Sequence, residues 1–265
     1  MSIILITGAT DGIGLATAKQ LARQGHELVL HGRNEVKVQY ARDEVQRSAP
    51  AAVLHTAHAD FADLDDVARM AAALTERLPR LDVLINNAGV YMTERRLSSN
   101  GFEMTLAVNH LAHFLLTSLL LPLLQKSPGP RVVTVSSMVH SSGRIELNDM
   151  NSDVHFDAYQ AYANSKLANK LFAQELARRE PWLVSNSLHP GVIGTKLLHA
   201  AFSINGNDVD TGARTPVFLA SSPDIKAVSG KYFEHCAATA GASDQPLARQ
   251  LWQWSEDAVR PWLAA

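Results

Sequence analysis

The chain has 265 residues, 46% of them apolar and 19% charged, with a formal net charge of −2. These values exclude a disordered or fibrous chain, and the lack of a basic excess argues against nucleic acid as a partner. One cysteine, Cys236, excludes an internal disulfide and fits a reducing, cytoplasmic location. The length suits one undivided α/β domain over residues 1–265.

The opening "MSIILITGATDG" begins with an apolar run that lacks the basic start and cleavage site of a signal peptide. It predicts a strand at residues 3–6 and no membrane anchor. Further β-rich runs predict strands at 27–31, 53–58, 83–86, 131–136, 183–187 and 231–233. Helical periodicity predicts helices at 13–24, 35–48, 64–78, 102–125, 158–179, 211–221 and 246–258. The longest apolar stretch, residues 111–125, contains His113 and Pro122. It falls short of the roughly 20 residues that span a bilayer and reads as a buried core helix. Alternating strands and helices predict a doubly wound parallel sheet of Rossmann type, because parallel strands need crossovers and helices supply them. Runs such as "ILIT" and "VVTV" are apolar on both faces, as a sheet covered on both sides requires. Ligands of such sheets bind at the carboxyl ends of the strands, so the loops there carry the functional signal.

The first of these loops, "TGATDGIG" at residues 7–14, has glycines at 8, 12 and 14. They allow a tight turn and close approach of a pyrophosphate to a helix N-terminus. The spacing departs from the ordinary G-x-G-x-x-G fingerprint. At the end of the second strand, Gly32 stands where NAD-selective folds place an acid, and Arg33 follows it. A guanidinium there suits the extra phosphate of NADP, although Asp11 in the glycine loop opposes it. "NNAG" at residues 86–89 ends the fourth strand. Ser136 and Ser137 end the fifth, and because adjacent strand residues face opposite ways, only one of them can point at a ligand. "AYANSKLANK" places Tyr162 and Lys166 on one helix face with Cβ atoms roughly 6 Å apart. An ammonium so placed is expected to lower the phenol pKa and make a proton donor or acceptor. "HPGVIGT" at residues 189–195 follows the sixth strand. His110 and His113 lie one helical turn apart, yet H-E-x-x-H and paired C-x-x-C are absent, so no metal is expected. The G-x-S-x-G elbow of serine hydrolases is absent too.

In this order, "TGATDGIG", "NNAG", "VNH", "VSS", "AYANSK" and "HPGVIGT" resemble the motifs of the short-chain dehydrogenases/reductases across nearly the whole chain. "VNHLAHFLLT", "AYANSKLANKLFAQELAR", "SGKYF" and "LARQLWQWSE" are similar to the retinol-dehydrogenase-like branch, as is the long separation of Ser137 from Tyr162. The resemblance implies an oxidoreductase moving hydride between a nicotinamide cofactor, NADP(H) by the reading of Gly32 and Arg33, and a carbonyl or alcohol. Tyr162 would exchange the substrate proton, Lys166 would assist it and bind the nicotinamide ribose, and Ser137 would orient the carbonyl. Asn109 would support a water leading to the lysine. Cofactor contacts are implied for Gly8, Thr10, Asp11, Gly12, Ile13, Gly14, Arg33, Asp60, Phe61, Asn87, Pro190, Ile193 and Thr195. A substrate lid is expected near residues 193–212, where apolar residues suggest a lipophilic substrate such as a retinal-like or steroid-like carbonyl. The family implies a homodimer or homotetramer. An idle dinucleotide-binding homologue and an epimerase or dehydratase on the same fold are the rival readings.

Overall fold

The computed structural model describes residues 1–202, 204–239 and 244–263. Its sheet is built from β1 (Ile3–Ile6), β2 (Glu27–Gly32), β3 (Leu54–His58), β4 (Val83–Asn86), β5 (Arg131–Val135), β6 (Val184–His189), β7 (Tyr232–Glu234) and β8 (Ala237–Ala238). The order is β3-β2-β1-β4-β5-β6-β7-β8. Every neighbour pair is parallel except β7 with β8. The order reverses between β1 and β4, the position where doubly wound sheets open a ligand crevice. Register pairs Ile6 with Leu30 on one side and Ile85 on the other.

The helices are α1 (Gly12–Arg23), α2 (Glu35–Ser48), α3 (Leu64–Arg77), α4 (Met104–Leu106), α5 (Ala112–Leu124), α6 (Ala158–Arg179), α7 (Lys196–Ala201), α8 (Val209–Ser221) and α9 (Gln245–Leu263). Polar caps fix several starts. Asp11, Asn34, Asp63, Asp157, Thr195 and Asp208 each accept a hydrogen bond from a backbone N–H of the first turn. β1, β4 and β5 are buried throughout. One face carries α1, α2 and α8 over Ile4, Ile6, Leu28, Leu30 and Ile85. The other carries α3, α5, α6 and α9 around Leu5, Leu84, Phe114, Phe172 and Trp252.

Two expectations need correction. The helix foreseen at 102–125 is interrupted by a π-helical turn at Ala107–Leu111, in which the Ala112 N–H reaches the Ala107 carbonyl. Joined through that turn, the helix runs 21 residues from Met104 to Leu124 and is apolar and long enough to cross a bilayer. The stretch is therefore longer than residues 111–125 alone suggested. Within the fold 78% of its 18-residue apolar window is buried, the position of a core helix. β8 was not foreseen, because two exposed alanines carry no strand pattern. The short α7 falls within the expected lid, of which Ser203 lies outside the described residues.

Candidate active site

At the carboxyl end of β1 the chain enters the glycine loop, and α1 starts immediately beyond it. Gly8 has φ of 65°, and a Cβ there would lie 2.9 Å from the Ala88 backbone. A Cβ on Gly14 would lie 2.2 Å from the Gly8 carbonyl oxygen. Glycine at both positions lets the loop and the "NNAG" turn close on each other. Thr7 Oγ1 accepts from the Asn87 and Ala88 N–H groups at 2.8 and 3.0 Å. The Asn87 amide donates to the Thr7 carbonyl at 2.7 Å, so its side chain braces the glycine loop. Asp11 caps α1 and pairs with Lys196 at the start of α7, and that pairing is the main cause holding its carboxyl below the usual range. The Thr195 methyl would be 3.3 Å from a Cβ on Gly12, and Ile13 and Ile193 both pack toward Gly212. Thus Asp11, Gly12, Ile13, Ile193 and Thr195 lie side by side, with Pro190 in the loop between β6 and α7, while Thr10 turns toward Gly32 at the end of β2.

At the end of β2, a Cβ on Gly32 would meet Thr10 Cγ2 at 2.4 Å and Val38 Cγ2 at 2.9 Å. A side chain at 32 would therefore require Thr10 and Val38 to shift, which disfavours an acid there. Arg33 is exposed and has no ion-pair partner among the described residues. At the end of β3, Asp60 is half-buried and accepts from the Ala62 N–H at 3.0 Å. Phe61, expected as a cofactor contact, follows Asp60 and is 4% exposed; its ring stacks on His31 at 4.4 Å and meets His113 edge-on at 5.2 Å, so its side chain packs in the core.

The third group surrounds α6. Ser136 Oγ is buried and donates to the Lys166 carbonyl at 2.7 Å, which ties β5 to the helix. Ser137 is half-buried and caps the 3-10 turn Met138–Ser142, its hydroxyl accepting from the Val139 N–H at 3.4 Å. The alternation of strand faces thus separates the doublet into a structural and an available serine. Lys166 is buried, donates to the Val135 carbonyl at 3.3 Å, and lies over the Tyr162 ring at 5.4 Å from its centroid. Burial lowers its pKa to about 8. Burial also raises the Tyr162 phenol. The expected lowering is not seen in this state, because desolvation dominates and the ammonium faces the ring. Asn109, in the π turn, holds the Val90 N–H and carbonyl at 2.8 and 3.0 Å and donates to Ser165 Oγ at 2.9 Å. A Cβ on Gly89 would meet Asn109 Oδ1 at 3.3 Å and Lys166 Nζ at 3.6 Å, so glycine keeps these two groups close to the "NNAG" turn.

The short chain dehydrogenase family profile matches residues 2–205. Human retinol dehydrogenase 14 is 38% identical over 96% of this chain and 84% of its own length. A Streptomyces sp. (strain C5) protein named "Putative daunorubicin C-13 ketoreductase DnrU" is 39% identical over 97% of this chain and 92% of its own. A Shigella flexneri short-chain dehydrogenase solved in complex with NADP shares 27% identity, with a TM-score of 0.72 and coverage of 88% and 95%.

The chain is a short-chain dehydrogenase/reductase. As an oxidoreductase of this family, similar to the retinol dehydrogenases, it has the cradle a dinucleotide needs: α1 opens at the switch point, and the loop beside it is kept free of side chains at Gly8, Gly14 and Gly89. Sequence reasoning missed an aromatic wall. Tyr91 meets Tyr162 edge-on at 5.5 Å and Phe202 at 6.2 Å, and Phe202 meets Tyr159 at 6.2 Å. The signal for Tyr91 was its place two residues after "NNAG". His113 and Thr7 were also missed as partners across the site. His110 and His113 diverge, one reaching Ser255 and the other Thr7.

Proposed function

We propose that this short-chain dehydrogenase/reductase is an NADP(H)-dependent carbonyl reductase, reversible to alcohol oxidation, acting on bulky lipophilic aldehydes or ketones. The observation that carries it is the buried pairing of Tyr162 with Lys166 on α6, which Ser136, the neighbour of Ser137, ties to the end of β5, beside a glycine-lined loop. When bound, the dinucleotide supplies or accepts the hydride. Ser137 Oγ holds the substrate oxygen, and the Tyr162 hydroxyl gives it a proton in reduction. A phenol raised by burial is protonated at neutral pH, which is the donor form. Lys166, still largely cationic below about pH 8, stabilises the phenolate left behind and holds the nicotinamide ribose. Asn109 keeps the path from that ammonium toward solvent in register through its hold on Val90 and Ser165.

Three features support NADP(H). Packing at Gly32 disfavours an acid, Arg33 is unpaired among the described residues, and the opposing charge of Asp11 is compensated by Lys196. Tyr91, Tyr159 and Phe202 support a lipophilic substrate, with Met138 53% exposed beside Ser137. The similarity to proteins named retinol dehydrogenase and ketoreductase supports the bulky substrate, and the similar structure in complex with NADP supports the cofactor. A cytoplasmic location, one domain and a homo-oligomer belong to this reading, checked by fractionation, a single unfolding transition and sedimentation. The decisive test is oxidation of NADPH and NADH by purified protein against retinal, steroid ketones, anthracycline ketones and small aldehydes. The expected result is NADPH consumption with the bulky carbonyls. NADPH untouched by every member of the panel would overturn the reading.

A further inference from the structure

His113 sits one turn beyond Asn109 and is 1% exposed. Its ring bridges two parts of the site that the chain places far apart. Nδ1 is 3.0 Å from the Asn109 carbonyl oxygen, and Nε2 is 2.9 Å from Thr7 Oγ1. The protons can be assigned from chemistry alone. A carbonyl only accepts, so Nδ1 carries the hydrogen. Burial keeps the ring neutral, which leaves Nε2 as an acceptor. Thr7 Oγ1 already accepts from the Asn87 and Ala88 N–H groups, and its single proton points to Nε2, closer than the Ile85 carbonyl at 3.3 Å. One tautomer satisfies every group.

We propose that His113 is a positioning residue which sets the Asn109 carbonyl with Nδ1 and the dinucleotide-facing turn at Asn87 and Ala88, through Thr7, with Nε2. Asn109 lies within the π turn at Ala107–Leu111, a fully buried segment, where His113 gives its carbonyl a side-chain donor. Phe61 holds the imidazole from its edge, and His31 behind Phe61 accepts from the Gly8 N–H at 3.3 Å, so the ring cannot turn without disturbing the glycine loop. His113 is buried behind these groups and acts through Asn109 and Thr7.

The inference rests on the functional reading above, and three variants separate its two halves. His113→Asn keeps a donor for the Asn109 carbonyl and loses the acceptor for Thr7. His113→Gln keeps a group at the Nε2 position and loses the donor. His113→Phe keeps a ring against Phe61 and loses both. NADPH dissociation constants come from quenching of protein fluorescence, and kcat comes at saturating NADPH across pH 6 to 10. The expected results are a Kd raised about tenfold in His113→Asn with kcat and its pH profile near wild type. In His113→Gln, Kd should stay near wild type while kcat falls about tenfold with a displaced pH profile. His113→Phe should show both defects. Equal losses of both quantities in the Asn and Gln variants, or no loss in His113→Phe, would overturn the proposal. So would failure of all three to fold, which would assign His113 to the fold alone. If His113→Phe alone fails to fold, the contrast between Asn and Gln decides. Wild-type binding and turnover report separately on the functional reading, and their absence would overturn both.

Discussion

Tyr162 and Lys166 share a face of α6, and burial acts on them in opposite senses: it raises the phenol and lowers the ammonium to about 8. Both shifts favour the uncharged form, as desolvation requires. The pairing itself was legible from the spacing in "AYANSK", because helix geometry alone puts the residues together. The sign of the phenol shift was not, since it depends on α6 being pressed against β5 and the rim around Tyr91. The serine doublet shows the same division. Strand alternation predicts that one hydroxyl turns away, but only the bond from Ser136 to the Lys166 carbonyl identifies which. For cofactor choice, Arg33→Ala should cut the NADPH to NADH ratio of kcat/KM by about ten- to a hundredfold, the loss of one charged hydrogen-bonding partner. An unchanged ratio would remove Arg33 from the reading. Gly32→Ala adds a carbon 2.4 Å from Thr10 Cγ2 and should cost about 1 to 3 kcal/mol of unfolding free energy by urea titration. A neutral result would show that Thr10 and Val38 yield there.

At the scale of elements, the long core helix shows what periodicity conveys and what it hides. A run of leucines at 115, 116, 119, 120, 121, 123 and 124 announces a buried helix, and the helix is there. The π turn ahead of it is invisible in composition, because the insertion of one extra residue per turn leaves the apolar pattern nearly intact. Its location beside Asn109 fits the tendency of π turns to mark functional sites. α9 was foreseen as an amphipathic element, but its partners were not. Trp252 stacks on Phe172 at 5.8 Å, meets Phe114 at 4.8 Å, and receives the Arg179 guanidinium at 4.7 Å, while Ser255 meets the His110 ring at 2.8 Å. α9 therefore clamps α5 and α6, the latter the helix that carries Tyr162 and Lys166. Trp252→Ala should destabilise the protein by about 3 to 5 kcal/mol in urea unfolding, the usual cost of a large aromatic removed from a core. A change below about 1 kcal/mol would mean that α9 is held elsewhere.

For the whole molecule, the doubly wound order and the cleft at its reversal follow from alternating strands and helices, and these were legible because both-face burial leaves continuous apolar strands. What the sequence withheld is the inward orientation of three histidines, His31 from the sheet and His110 and His113 from the helix packed on it. His31 and His110 are held at about 4 and His113 at about 3 by burial, against an ordinary 6.5. The unfolded chain takes up protons on these groups as pH falls through 6.5, and the folded protein does not until pH 4 or lower. Their stabilising effect is therefore complete above pH 6.5 and declines below it, by about 1.4 kcal/mol per pH unit for each histidine. The melting temperature should fall clearly between pH 7.5 and 5, and a flat profile would mean that these rings are already charged or accessible. The central claim, that this family member reduces carbonyls with Tyr162 as proton donor, is tested most directly by single-turnover NADPH oxidation with a bulky carbonyl in wild type and Tyr162→Phe. The account predicts a rate lowered on the order of a hundred- to ten-thousandfold with the NADPH dissociation constant nearly unchanged. A variant that keeps more than about a tenth of the wild-type rate, or that loses NADPH binding in parallel, would contradict it.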